Sequence, residues 1–581
     1  MPRWPHGIFI DSERVEEADD ALAERIGQDP LASFRVKPVD LRRFDFLFPE
    51  LQEDPDNLLP VSQDTVDNLV ALGNSMAELR PPNVVGQPND PDKDLSRDAR
   101  FSAAFTYFGQ FVDHDITLDQ SATPGTAPPA PEGLVPLELE VIREGTKNLR
   151  TGVLELDSVY GEPAPKDPQN PRKMKIGNVT TLPDPAPPEV RGRPSLRPSG
   201  KADENDLPRE PRNEGAFMHD RAALIGDPRN DENTIISQLH VAFLRAHNKL
   251  VDEAAPPNRF KKAKRRLLRH YQYIVLHDFL KQIVESAIVR DTIKRNRVYD
   301  PDEDEFFMPL EFSVAAYRFG HSMVRSAYDF NLNFNKSGEQ TGPNDRTIPA
   351  TLDLLFTFTA LSGQLGFGPG TNTLPENWII EWENFFDPQG QAGHSKARRI
   401  DTELADPLTR LKNIEGNLEG SPPENLAAKL AVRNLLRGYL LRMPTGQAVA
   451  RALRKKLRGV RDIPVLTPQQ IEENAKKFDE KQAEVGQATV KQAEVLQRRQ
   501  GELLRRTPLW YYILAEAAIL RNGQSLGPVG GTIVAEVLVG LVRRSPHSIL
   551  APGSDWEPNL PSEEPGEFTL PDLLRFARVL A

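Results

Sequence analysis

Apolar residues recur at spacings of three and four over several long stretches of this chain, which marks amphipathic helices. From Asp231 to Val298 the pattern is strongly helical: Leu239, Phe243 and Leu244 keep the spacing, and residues 258–289 continue it. Helical periodicity also begins near Ser96, and residues 311–327 and 424–457 read as further helices. Segment 528–542 is the most apolar, interrupted by glycines and Glu536, and reads as a buried helix within a final apolar region, 509–543. Pro, Gly and charge dominate residues 122–137 and 161–213, which predicts long loops, and 328–395 reads as irregular. The Gln-, Glu-, Lys- and Ala-rich stretch 467–506 predicts a solvated helix or helical hairpin, ended by Pro508. Residues 1–95 read as a proline-rich irregular wrap, and the tail beyond 543 is again proline-rich. Strand signal is scarce. The expectation is a mainly α chain with one large helical domain, 96–581, carrying a polar helical insertion at about 467–506.

The chain has 581 residues, enough for a large core, and its 38% hydrophobic and 27% charged residues describe a globular protein. The 52 prolines are about twice the average share and fit long irregular connections. A net charge of −12 argues against non-specific nucleic-acid binding. There are no cysteines, so disulfides, thiolate catalysis, zinc-thiolate sites and iron–sulfur clusters are excluded. Metal chemistry must use His, Asp, Glu or backbone oxygen. The N-terminal residues contain no apolar run of leader length, and no stretch of 18 apolar residues occurs. The expectation is a soluble protein, either cytoplasmic or secreted by a leaderless route, with its oligomeric state open.

Candidate chemistry concentrates in FGQFVDHD, residues 108–115. On a helix, Gln110, Asp113 and His114 share one side, and Asp115 is rotated about 100° from His114. Taken alone, the segment reads equally as a polar helix face. Three further segments matter beside it. In GDPRNDENTIISQLHVAFLRAHN, 226–248, Arg229 and Glu232 sit three apart at a helix start. In YRFGHSMV, 317–324, Arg318 lies one turn before His321; in NLLRG, 434–438, Asn434 and Arg437 are similarly spaced.

These four segments, in this order, resemble the peroxidase–cyclooxygenase superfamily of animal-type haem enzymes, the family of myeloperoxidase and lactoperoxidase, and a bacterial branch of it. The resemblance spans about residues 95–455 and, less closely, 506–545. It implies a helical haem-peroxidase domain with haem b as cofactor. It implies that His114 is the distal histidine, Gln110 the glutamine beside it and Arg229 the distal arginine. Asp113 and Glu232 match the carboxylates that form ester bonds to haem. His321 matches the proximal iron ligand, Asn434 its hydrogen-bond partner, and Arg318 and Arg437 the arginines near the haem propionates.

The residue types suit the chemistry. Heterolysis of the peroxide bond moves one proton from the inner oxygen to the outer, which a neutral imidazole performs. A guanidinium, always charged, meets the negative charge that builds on the departing oxygen. An asparagine carbonyl accepting the proximal N–H gives less push than a carboxylate and a higher reduction potential. Asn233 stands where myeloperoxidase has its sulfonium-forming methionine, so a third covalent link is not expected. His240 and His247, seven apart, read as core hydrogen-bonding residues, as do His219, His270 and His277.

The resemblance also implies a calcium site: Asp115 with the loop TGVLELDSVYG, 151–161, giving Thr151, the Val153 carbonyl, Glu155 and Asp157. Calcium there would fix the helix that carries His114. The implied activity is reduction of hydrogen peroxide with oxidation of halide, pseudohalide or phenolic donors, which suits a response to oxidative stress. Two alternatives stand beside it. A fatty-acid dioxygenase of the cyclooxygenase type needs a tyrosine three residues before the proximal histidine; that position is Arg318, and a helix would turn Tyr317 away. A haem-free binding or adhesion module would keep the fold without the chemistry.

Overall fold

The computed structural model describes residues 42–78, 95–121, 133–180, 204–210, 222–300, 306–331, 333–335, 348–356, 359, 373–386, 395–411, 426–485 and 490–581. Most of the expected helices form. The principal α-helices are α1 Gln63–Ser75, α2 Ala104–Ile116, α3 Thr234–Glu253, α4 Arg259–Tyr273, α5 Leu430–Leu440, α6 Gly446–Lys456, α7 Pro468–Val485, α8 Gln492–Arg505, α9 Leu509–Arg521, α10 Pro528–Arg544 and α11 Leu570–Phe576. The fold is mainly α, and its strands are short.

The core is continuous from α2 through α3 and α4 to α10. Phe111 stacks on Phe243 with ring centroids 4.6 Å apart, and Phe108 meets Tyr271 and Phe279 edge-on. As expected, α10 is buried over almost its whole length. Its Glu536 accepts from the backbone N–H groups of Arg297, Val298 and Tyr299, which is how a carboxylate is tolerated there.

The proline-rich stretch before residue 95 departs from the expectation where it is described. It contains α1, capped by Ser62, whose hydroxyl accepts from Thr65 N at 3.1 Å. Val66, Leu69, Leu72 and Met76 are buried at helical spacing. A Cβ on Gly73 would lie 2.7 Å from the backbone nitrogen of Val432, so α1 lies tight against α5. Strand β1, Arg42–Asp45, runs parallel to Phe307–Pro309 and antiparallel to Thr146–Asn148, which pairs with Asp119–Ser121. Residues 95–102 form a 3-10 turn and a strand, so helix begins at Ala104 and not near Ser96.

The insertion 467–506 is a hairpin of α7 and α8, with Ile471, Ala475, Val495 and Leu496 buried. Residues 311–323 are helical but not α-helical. A π turn, Glu311–Ala315, passes into a 3-10 helix, Ala316–Met323, which changes the directions in which Tyr317, Arg318 and His321 project. Among the described residues no helix is long and apolar enough to cross a membrane.

Candidate functional site

A cavity of about 90 Å³, partly open to solvent, lies between α2 and the 316–323 helix. Gln110, Asp113, Thr117 and Arg229 line one side; Arg318, His321 and Arg437 line it too. Phe44, Phe105, Phe279, Phe319 and Met323 make the remaining wall apolar.

α2 supplies four of the residues expected from the sequence. It ends at Thr117, whose hydroxyl donates to Asp113 O at 3.1 Å and lies 2.9 Å from Asp113 Oδ1, holding that carboxylate at the cavity wall. Gln110 Nε2 donates to Glu232, and Asn233 Nδ2 donates to Gln110 Oε1 at 3.3 Å. His114 is fully buried, with Nδ1 2.9 Å from Asn230 Oδ1. Neither His114 nor Glu232 reaches the cavity wall, although each adjoins a residue that does.

The turn Pro228–Asp231 delivers the next group. Asp227 caps it by accepting from Arg229 N at 2.9 Å. The Asp227 carboxylate also binds the Arg229 and Arg150 guanidiniums. Those two cations hold it well below the usual carboxylate range although burial opposes the charge. Arg229 Nη2 donates to Thr117 O at 2.5 Å, tying the turn to the end of α2. Asp231 pairs with Arg209, and Arg229 with Asp227.

On the 316–323 helix, His321 Nδ1 lies 2.8 Å from Asn434 Nδ2. The pairing is as expected, but the amide points the other way round. Arg318 Nη1, which only donates, takes Asn434 Oδ1 at 3.0 Å, leaving the amide nitrogen for His321. Trp510 backs this side, its indole N–H donating to Arg318 O at 3.1 Å and its ring edge-on to His321. Tyr317 is not turned away, contrary to the helical expectation. It lines the cavity, and its hydroxyl donates to Gly109 O at 3.2 Å.

Beside α2, the 151–161 loop wraps Asp115. Leu156 N donates to Asp115 Oδ2 at 3.1 Å and Ser158 N to Oδ1 at 3.3 Å. Leu156 holds a left-handed backbone (φ 57°), costly for a residue with a Cβ. Asp115 is fully buried, and burial, followed by the charge of Asp157, pushes its pKa well above the usual carboxylate range. Such a pair suits a cation, and Thr151 Oγ1, 2.6 Å from Asp157 Oδ2, adds a hard oxygen. Glu155 does not join them: its carboxylate accepts from Ser545 Oγ, and among the described residues no three acidic or histidine side chains gather at one point. The Val153 carbonyl accepts from Glu155 N at 2.9 Å. Gly226 clamps loop and turn together, since a Cβ there would lie 2.1 Å from Asp157 O.

Of the histidines read as core hydrogen-bonding residues, three are buried and paired. His240 Nδ1 meets Asn230 Nδ2 at 3.0 Å, His247 Nδ1 meets Tyr160 OH at 2.8 Å, and His270 Nδ1 meets Arg266 O at 2.7 Å. His277 stacks on Tyr273. His219 lies outside the described residues. Sequence reasoning missed Asp227, Arg150 and Asn230; an Asp two residues before an Arg, with Pro between, was the one available signal, that of a capped turn.

Residues 142–356 match the model of the animal haem peroxidase family. That range contains Arg229, Glu232 and His321, while α2 and Asn434 lie outside it. A peroxidase-like protein from Margaritifera margaritifera is 28% identical over 304 residues, 47% of this chain and 37% of that protein. Mouse myeloperoxidase is 23% identical over 313 residues, 45% of this chain and 40% of that protein. The chain thus spans less than half the length of these relatives. Among solved structures, peroxidase A from Dictyostelium discoideum aligns with a TM-score of 0.49 at 16% identity, covering 88% of each chain.

Proposed function

We propose that this chain, which carries the animal haem peroxidase domain matched over residues 142–356, is a haem peroxidase that reduces hydrogen peroxide and oxidises halide, pseudohalide or phenolic donors. The observation that carries the reading is one cavity with His321 and two arginines, Arg318 and Arg437, beside it, and Gln110, Asp113 and Arg229 on its α2 side.

The donor set fits haem b. His321 would offer Nε2 to the iron once Nδ1 is hydrogen-bonded to an acceptor. Arg318 and Arg437 would meet the propionates, and the phenylalanine wall suits an apolar macrocycle. Asp113, at the wall, is placed for an ester bond; Glu232, held by Gln110 and buried, would need to turn outward for a second. Haem, when bound, supplies the iron centre that exchanges two electrons with peroxide.

The chain's own residues manage the protons and charge. His114, buried behind the wall as Glu232 is, would need its Nε2 opened to the cavity to take the proton from one peroxide oxygen and return it to the other, so that water leaves. Arg229, fixed by Asp227 and Thr117 O, presents a permanent positive charge to the departing oxygen without reorganising. Bromide, iodide or thiocyanate would serve as the two-electron donor. Chloride is the hardest of these to oxidise, and without a sulfonium link the site is less suited to it. We propose calcium at Asp115, Asp157, Thr151 and the Val153 carbonyl, bracing α2 and the Arg229 turn.

Tyr317 at the cavity wall favours a second reading, a fatty-acid dioxygenase, in which a tyrosine abstracts hydrogen from an acyl chain. A donor screen separates the two. The peroxidase reading requires peroxide-dependent oxidation of iodide or a phenol that His114→Gln abolishes. Oxygen uptake with a fatty acid and no oxidation of those donors would favour the dioxygenase.

A further inference from the structure

Asn230 joins two buried histidines. Its Oδ1 lies 2.9 Å from His114 Nδ1, and its Nδ2 lies 3.0 Å from His240 Nδ1. All three side chains are completely buried. An amide oxygen only accepts and an amide nitrogen only donates. Asn230 therefore requires a hydrogen on His114 Nδ1 and a lone pair on His240 Nδ1. A neutral imidazole carries one ring hydrogen, so the lone pair of His114 falls on Nε2.

The surroundings keep the amide in this sense. Burial pushes the His240 pKa down to about 3, so that ring stays neutral and has one ring nitrogen free to accept. The Asn230 backbone is fixed in the turn, its N–H donating to Asp227 O at 3.0 Å. That same turn places Arg229 at the cavity and Glu232 against Gln110. One rigid element thus sets the guanidinium and the imidazole together.

We propose that Asn230 is a positioning residue, which fixes the tautomer and ring plane of His114 so that Nε2 is the proton-accepting nitrogen; this rests on the peroxidase reading above. Asn230 touches no substrate and acts only through His114. His240 is the far anchor that holds the amide the right way round.

Joint neutron and X-ray diffraction of the perdeuterated full-length protein, as purified, tests it. The expected result is deuterium on His114 Nδ1 and none on Nε2, with the Asn230 amide deuterons facing His240. Deuterium on His114 Nε2 with a bare Nδ1 overturns the proposal, whatever the activity. Two variants add a kinetic test. Asn230→Leu removes the acceptor at similar volume and is expected to slow peroxide consumption roughly 10- to 100-fold. Asn230→Asp keeps an oxygen facing His114 and is expected to restore most of that rate. Equal losses in both variants, at unchanged haem content, would mark mere packing and overturn the proposal. If the leucine variant does not fold, diffraction from the unaltered protein still decides. The expected protonation in a protein inert to peroxide would uphold the positioning of His114 and sink the peroxidase reading alone.

Discussion

His321 Nδ1 lies 2.8 Å from the amide nitrogen of Asn434, because Arg318 holds the amide oxygen at 3.0 Å. A histidine that ligates iron through Nε2 carries its hydrogen on Nδ1 and needs an acceptor there. Asn434 has one oxygen for two donors, whereas a carboxylate would have two. Asn434→Asp is therefore predicted to accept from both Arg318 and His321, to increase the push on the iron and to lower the reduction potential of the loaded protein. Spectroelectrochemical titration checks this; an unchanged or higher potential would contradict it.

Arg229 spends its Nε and Nη2 hydrogens on Asp227 and Thr117 O, so its charge is rigidly held. Arg229→Gln is predicted to slow the reaction with peroxide on the order of 10²- to 10³-fold, with haem retained. Stopped-flow absorbance measures the rate and the Soret intensity together. A variant that keeps the wild-type rate would remove Arg229 from the mechanism.

Asp115 is buried with the half-buried Asp157 close enough to raise its pKa, while Glu155 is engaged by Ser545. Chelation of calcium, or Asp157→Asn, is predicted to lower stability by on the order of 2–4 kcal/mol and to perturb the Soret band through α2. Glu155→Gln is predicted to cost about 1 kcal/mol or less, since the amide still accepts from Ser545. Thermal melts with and without chelator distinguish these; a Glu155 variant as sensitive as Asp157→Asn would restore Glu155 to the ligand set.

Glu516 is fully buried and accepts from Val529 N and Gly530 N at the start of α10. Burial raises its pKa to about 8 despite those hydrogen bonds. The folded state thus holds a proton that the unfolded state releases near pH 4.5, so its contribution to stability is present at low pH and is lost as pH rises toward 8. The loss is at most about 4–5 kcal/mol. Glu516→Gln is predicted to flatten that slope, as read by denaturant melts from pH 5 to 8. A slope unchanged in the variant would show that Glu516 is not its source.

Tyr317→Phe separates the two enzymatic readings. Peroxide-dependent donor oxidation is predicted to change less than about threefold, because the hydroxyl serves Gly109 O and not the reacting oxygens. Loss of all turnover would place Tyr317 in the chemistry.

The helices that bury an apolar face were legible, because Leu239, Phe243 and Leu244 or the apolar run of α10 announce themselves by spacing. So was the conjunction of Arg318 and His321 on one turn. What escaped depended on local geometry or on distant partners. A π turn before a 3-10 helix brought Tyr317 to the cavity, and no periodicity signals that change of pitch. The α1 helix hid between prolines, with Ser62 its one marker. Glu155 alternates with Asp157 in sequence, yet Ser545, 390 positions away, claims it. Asn230 looks like any polar turn residue until His114 and His240 are seen on either side of its amide.

We propose that His114, Arg229 and His321 act together on peroxide at one haem. An absorption spectrum of the protein supplied with calcium and haem, taken before and after one equivalent of hydrogen peroxide, tests it most directly. The account predicts a ferric Soret band that bleaches with peroxide and recovers on adding iodide or a phenol. Failure to bind haem, or a Soret band indifferent to peroxide, would contradict it and favour a haem-free binding module on the same fold.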